Sequence, residues 1–324
     1  MEFFKKTHFT NRIIWISLVF IVWYILLGSM LILPFDKHVT GRTTDIPDLH
    51  FVLDMYTCTI ITVITFVLLC LLKKNRDIGK SMLPNKETGS WRMLWFGLLL
   101  GFLTNFFCIL CALIHGDIKL VLDFAPSGIP LMIFALISVF IQSSSEEIWC
   151  RGFMYERINV HYPLWVAIVV NGSFFGLLHA TNPGISAIAM TGLIITGLSY
   201  SLLRWYSGSI WTCMGIHTMW NFTQNLIFGL PNSGLVSETS IFHLDAANGI
   251  SNLIYDFDFG VEGALPALFI DASLGVIILI MAKKNGRLDE LKMTKEKTAE
   301  LTGYAPAEVR YPIKKDKTVV IEEY

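Results

Sequence analysis

The chain has 324 residues, of which 53% are hydrophobic and 16% charged, and its formal net charge is −1. A water-soluble domain of this length cannot bury that much apolar surface, so the excess must face lipid. The near-neutral balance also excludes nucleic acid as the partner. The expected fold is all-α, a polytopic membrane helix bundle.

Segments apolar and long enough to span a bilayer number about eight: Ile13–Leu33, His50–Leu72, Trp91–His115, Ile129 to Arg157, Pro163–Ala180, Gly184–Leu203, Ser209–Leu230 and Gly263–Ala282. Lys5, Lys6 and Arg12 precede the first. That segment is too long for the core of a cleaved signal and lacks a small-residue cleavage site, so it reads as a retained span. The first two spans carry no cluster of polar groups and read as packing elements. All six cysteines, Cys58, Cys70, Cys108, Cys111, Cys150 and Cys213, lie in apolar runs. Cys108 and Cys111 form a CxxC without a second pair, so the cysteines read as small buried hydrophobes.

Lys and Arg stay on the cytoplasmic side of spanning segments. With the N-terminus inside, 22 of the 25 Lys and Arg fall on inner segments, and only Lys37, Arg42 and Lys119 fall outside. The segment Pro231–Glu262 has no Lys or Arg and five acidic residues. Both termini are therefore expected in the cytoplasm, with 231–262 as an outer loop. Residues 1–283 read as the transmembrane bundle. Residues 284–324 read as a polar cytosolic tail with one helix, Arg287–Thr302.

Ionisable groups inside a membrane are costly, and each is a functional hypothesis. The fourth span holds Ser143-Ser144-Ser145-Glu146-Glu147 followed by Arg151, the fifth Phe175 and His179, and the seventh His217 and Asn221. Glu147 and Arg151 are four apart and share a helix face, which allows an ion pair. Glu146 is rotated by about 100° from Glu147. His217 and Asn221 also share a face. A carboxylate, two imidazoles and a carboxamide can thus converge from three helices and hold a water. A lone Glu–Arg pair can equally be interhelical glue, and a lone helical His a satisfied core residue. Three such segments in one bundle favour chemistry.

Glu146-Glu147-x-x-x-Arg151, Phe175-x-x-x-His179 and His217-x-x-x-Asn221 resemble, in order, the motifs of the CPBP family, the CAAX-protease and bacteriocin-processing (Abi) intramembrane proteases. The resemblance covers about residues 129–230, with no departure at a motif position. It implies a hydrolase, an intramembrane endopeptidase acting on a hydrophobic or lipid-associated peptide or protein within membrane lipid. Glu146 would be the general base, and His179 would hold the water. His217 and Asn221 would stabilise the oxyanion, and Glu147 with Arg151 would orient the site. Glu146, His179 and His217 are also the N/O ligand types of a catalytic zinc with an open position. The family is often called metalloprotease for that reason, yet it also resembles a glutamate-dependent mechanism with no obligatory metal. Both alternatives stand at this point, as do a non-catalytic immunity or peptide-binding scaffold of the same fold and a proton-relay transporter. The short chain resembles the bacterial branch, tied to peptide processing, bacteriocin immunity and the cell membrane.

One geometric difficulty accompanies this reading. Glu146 would lie ~25 Å along a span that begins at Ile129, near the cytosolic boundary. His179 would lie ~24 Å from Pro163, near the outer one. The two meet only if the fourth helix continues past Arg157 or the Asn182-Pro183-Gly184 break is sunken in the bundle.

Overall fold

The computed structural model describes residues 13–22, 46–84, 86, 89–237, 239–246 and 249–302. Residues 23–33 of the first expected span, Lys37 and Arg42 of the first outer connection, the N-terminal basic cluster and the tail beyond Thr302 lie outside the described residues. In chain order the elements are α1 (Ile13–Phe20), α2 (Pro47–Leu71), α3 (Arg76–Met82), α4 (Ser90–His115), β1 (Ile118–Leu122), α5 (Pro126–His161), α6 (Leu164–Leu178), α7 (Ala187–Ser207), α8 (Ile210–Asn221), β2 (Phe242–Ala246), α9 (Leu265–Lys284) and α10 (Lys295–Thr302). The protein is a helical membrane bundle. Helices α2, α4, α5, α7 and α9 have the length and apolarity to cross a bilayer. Helix α6 is a shorter apolar helix, and α8 runs on into a π-helical turn, Phe222–Ile227.

Helix α4 shows how these segments pack. Gly97, Gly101, Asn105, Cys108 and Ala112 form its buried stripe, while Trp95, Phe96, Leu99, Leu103 and Phe107 are exposed to the surroundings. Lipid is as apolar as leucine, so such helices associate through close contact of small residues rather than by hiding their large ones. Gly97 and Gly101 sit on the backbone of α8 at Thr212–Ile216, and a Cβ on Gly215 would come within 2.6 Å of the Leu94 carbonyl. Helices α6 and α7 are seated the same way, Gly172 and Gly176 lying against Gly197, Leu198 and Ile194. The helices that carry Phe175 and His217 are thus fixed by backbone contact. Long helices end where the chain turns left-handed, as at Gly116 (φ 89°) after α4 and Gly208 (φ 67°) after α7, a conformation glycine adopts without a steric penalty.

Of the two ways out of the depth difficulty, the length of α5 is the one the fold shows. Helix α5 extends over 36 residues, past Arg157, with a π-helical stretch at Ile148–Met154 immediately after the glutamate pair. Its length of ~54 Å exceeds the ~30 Å hydrocarbon core, so Glu146 is an interior residue of an over-long helix. Helix α6 spans only 15 residues. It delivers His179 at its C-terminal end, and the following loop lies against the 231–262 loop, with Asn182 Nδ2 donating to the Ser233 carbonyl at 2.9 Å.

Two features differ from the sequence reading. A two-stranded antiparallel ribbon pairs Ile118–Leu122 with Phe242–Ala246. Both strands lie in connections read from sequence as loops, and their pairing holds those connections at one end of the bundle. The start of the tail also docks rather than hanging free. Glu156 near the end of α5 pairs with Arg204 at 3.0 Å and with Lys295 of α10, and the Met293 carbonyl accepts from the Leu164 backbone N–H at 3.1 Å. Trp205 Nε1 donates to Glu290 at 2.8 Å, and Arg287 donates to the same carboxylate while lying 5.2 Å over the Trp205 ring. These contacts bury polar groups in pairs, which offsets their desolvation.

Candidate active site

Glu146 and Glu147 stand side by side on α5 and point to different partners. Glu147 is fully buried. Its Oε1 accepts from Arg151 Nη1 at 2.9 Å and lies 3.0 Å from His217 Nδ1. Arg151, also fully buried, lies flat over the Phe175 ring with its guanidinium carbon 4.2 Å from the centroid. Phe175 in turn packs against both imidazoles, 5.1 Å from the His179 ring and 6.0 Å from the His217 ring. The phenylalanine of the second motif is therefore the platform on which the cation and the two histidines rest. The expected Glu147–Arg151 pair is present, and it reaches His217 as well.

Glu146 faces a cavity. Its Oε1 accepts from Gln142 Nε2 at 2.6 Å, and its Oε2 is buried without a hydrogen-bond partner among the described residues. His217 Nε2 lies 3.9 Å from that oxygen, beyond hydrogen-bond range, so neither atom is taken up by the other. His179 Nδ1 is 2.9 Å from the Phe175 carbonyl, which can only accept; the proton therefore sits on Nδ1, and Nε2 is left for a ligand. Glu146, His179, His217 and Asn221 all line one cavity of about 790 Å³, walled on its apolar side by Ile21, Met55, Phe174, Leu177 and Leu178. The four expected residues thus share one chamber.

Asn221 is also hydrogen-bonded within the protein. Its amide donates to Gln142 Oε1 at 3.2 Å and to Ser143 Oγ at 3.4 Å, and its Oδ1 accepts from Asn232 at 3.3 Å.

The metal reading also meets a geometric test. Among the described residues no three His, Cys, Asp or Glu side chains come together as a ligand set for a metal ion. Glu146, His179 and His217 line the same chamber without closing on one point. The three do not fit a zinc centre in this arrangement, and the chemistry below is derived from the side chains alone.

Behind the histidines lies a second, smaller polar chamber of about 40 Å³, lined among others by His179, His217, Tyr200, Thr196, Glu262 and Asp271. Glu262 ties the outer loop to the bundle, accepting from Trp220 Nε1 at 3.1 Å, Asn232 Nδ2 at 2.6 Å and Ser233 Oγ at 2.7 Å. Desolvation raises its carboxyl above the ordinary glutamate value, against the lowering effect of those donors and of His179 and His217 nearby. Ser233 adopts φ 50°, a left-handed conformation that is strained for a residue with a side chain, and it lines both chambers. Asp271 of α9 accepts from Thr196 Oγ1 at 2.5 Å.

Gln142, Asn232, Glu262 and Asp271 escaped the sequence reading. Asp271 carried a legible signal, since it is ionisable within an expected span and falls under the same cost argument as Glu146. Gln142 lies one turn before Glu146, a neighbour on any helix. Asn232 and Glu262 sit in a loop read only for its charge, and nothing local marks them.

Residues 128–223 match the family model of Rce1-like proteins, type II CAAX prenyl endopeptidases. The match encloses all three motifs, in agreement with the resemblance stated from them. Over 139 residues the chain is 32% identical to the uncharacterized protein YyaK of Bacillus subtilis (strain 168), and the aligned part covers 42% of this chain and 43% of YyaK. The chain thus spans less than half the length of that relative. No solved structure matches.

Proposed function

From an Rce1-like core over residues 128–223, we propose that this integral membrane protein is an intramembrane endopeptidase. It hydrolyses a peptide bond of a hydrophobic or lipid-associated protein or peptide with a water activated by Glu146. The observation that carries this reading is the shared chamber: four motif side chains from three helices face one cavity whose apolar wall suits a substrate arriving from lipid.

The chemistry assigns a part to each atom. Glu146 Oε2 takes a proton from the water, whose oxygen bonds to the scissile carbonyl carbon. His179 Nε2 accepts the water's other hydrogen and orients it. His217, anchored at Nδ1 by Glu147, presents Nε2–H as an imidazolium to the oxyanion. A fixed donor in such a water-poor site contributes ~3–4 kcal/mol, or 10²–10³ in rate. As the intermediate collapses, the C–N bond breaks and Glu146 passes its proton to the departing amine. Arg151 holds Glu147 in place, so that the imidazole cannot turn away.

In this reading the protein sits in a bacterial cell membrane, and its Lys and Arg distribution supports cytoplasmic termini. The deciding experiment compares the membrane peptidome of cells expressing the chain with that of cells expressing Glu146→Gln at equal level. A set of cleaved peptides present only with the unaltered chain is expected. Identical peptidomes would leave the non-catalytic scaffold as the better account.

A further inference from the structure

We propose that the groove between α2, α3 and α5 binds an anionic phospholipid, with an acyl chain in the groove and the headgroup phosphate at Arg76 and Lys80. The site lies apart from the four motif residues, and it stands whether or not Glu146 is catalytic.

The groove is built from helix stripes. Phe66, Val67, Cys70 and Leu71 of α2 recur at helical spacing along one wall, and Phe140, Ser144 and Ile148 of α5 form another. Gly79 lets α3 approach α2, since a Cβ there would meet Cys70 Sγ at 3.1 Å. The volume is about 590 Å³, the size of a ligand pocket rather than of a packing defect. Phe66 and Met214 are buried at its back, whereas Val67 and Leu71 are exposed, so its apolar rim is open to lipid.

Two cations in this mostly apolar lining identify the other end of the occupant. Arg76 and Lys80 both line the groove and lie four apart on α3, neighbours on one face with room for a single phosphate between them. Asp77 is 4.0 Å from Lys80, but both side chains are more than half exposed, so water screens the pair and the ammonium is free to turn. Residues 73–92 carry six Lys and Arg against Asp77 and Glu87, an excess that selects negative charge. The depth also fits a headgroup. Trp211, which lines the groove, packs at 5.5 Å on Trp91, and Trp91 is exposed. Exposed tryptophan marks the headgroup level of a spanning protein. A soluble anion would leave the apolar walls uncovered, and a zwitterionic headgroup would bring its own cation against Arg76 and Lys80. The bound chain also packs on the helix that carries Glu146. Ser144 and Ile148 line the groove, while Ser145 and Glu146 line the candidate active-site chamber on a different face of α5.

The test uses the full chain, purified and delipidated in detergent. The probes are phosphatidylglycerol and phosphatidylcholine with identical acyl chains. Native mass spectrometry counts retained lipid, and Tm is read in parallel. The unaltered chain is expected to hold one phosphatidylglycerol and to prefer it about 25-fold, the product of roughly fivefold per cation. Arg76→Gln/Lys80→Gln alters two exposed side chains and should fold, with the preference falling below about threefold. Val67→Trp fills the groove from its rim and should lose retained lipid of either kind. Equal retention of the two lipids by the unaltered chain overturns the proposal. A preference that survives in the double glutamine variant also overturns it, since the anion then binds elsewhere. Glycerol phosphate at the same concentration should leave Tm unchanged. A gain equal to that from phosphatidylglycerol would reduce the site to one for a free anion and refute the lipid.

Discussion

Replacing Arg151 by Met tests the buried centre of the bundle without any substrate. Methionine keeps the length and apolar stem of the side chain and removes the charge. Arg151 and Glu147 are both fully buried and 2.9 Å apart, so the change takes the guanidinium from a carboxylate in a low-dielectric interior and leaves it to His217. Breaking such a pair from one side costs ~3–5 kcal/mol. Loss of the guanidinium from the Phe175 face, at 4.2 Å, adds up to ~2 kcal/mol. A sulfur–aromatic contact from the new methionine returns ~0.3–1.5 kcal/mol. Glu147→Gln alone strands the guanidinium and is expected to be comparably damaging. The double variant removes both members of the Arg151–Glu147 pair, and its glutamine carbonyl can still accept from His217 Nδ1. It is expected to be more stable than Arg151→Met by ~1–4 kcal/mol. Equilibrium unfolding of all four proteins by SDS in mixed micelles closes the double-mutant cycle. A double variant whose loss equals the sum of the two single losses would refute the ion-pair argument.

Three further outcomes follow from the geometry. Gly215→Ala is expected to lower Tm and to weaken turnover, because its Cβ meets the Leu94 carbonyl and Leu98 nitrogen at 2.6 and 2.8 Å, both backbone atoms; Gly192→Ala, with one contact at 3.3 Å, is the control and should be near neutral. In a cysteine-free background, Lys119→Cys with Asp245→Cys, opposed in the ribbon, should crosslink; an impermeant thiol reagent should label Ile250→Cys, 71% exposed, on intact cells but Lys292→Cys only after permeabilisation, and the reverse labelling pattern would invert the topology. The raised carboxyl of Glu262 binds its proton more tightly folded than unfolded, so stability is favoured at low pH and declines as pH rises from the ordinary glutamate value through the raised one; the Tm of Glu262→Gln should lack that decline, and parallel Tm–pH curves would contradict the assignment.

What could be read from sequence follows the physics of each feature. Spans are legible where lipid demands long apolar runs: five expected segments coincide with helices long and apolar enough to cross a bilayer, α2, α4, α5, α7 and α9, and two more with the shorter α6 and α8. The motif residues were legible because a charge in lipid is conspicuous, and Glu146, His179, His217 and Asn221 do line one chamber. Asn221's partners were not legible. Hydrogen-bond direction depends on which amide faces which acceptor, and that is set by packing between α5, α8 and the loop at Asn232. The ribbon was hidden because its strands, Ile118–Leu122 and Phe242–Ala246, are 120 residues apart and each is only five residues long. The docked tail was hidden because Lys295 and Glu290 read as ordinary surface charges, and only their partners, Glu156 and Trp205, take them out of solvent.

The docking of residues 285–302 determines where the chain tolerates being cut. Deletion after Lys284 would look harmless from sequence, since it trims a polar segment behind the last span. It would remove Lys295 from Glu156 and would take from the Trp205 indole its acceptor, the Glu290 carboxylate. It would also uncover the Leu164 amide at the first turn of α6, the helix that delivers His179. An expression boundary, fusion joint or affinity tag therefore belongs beyond Thr302, where it leaves these contacts whole.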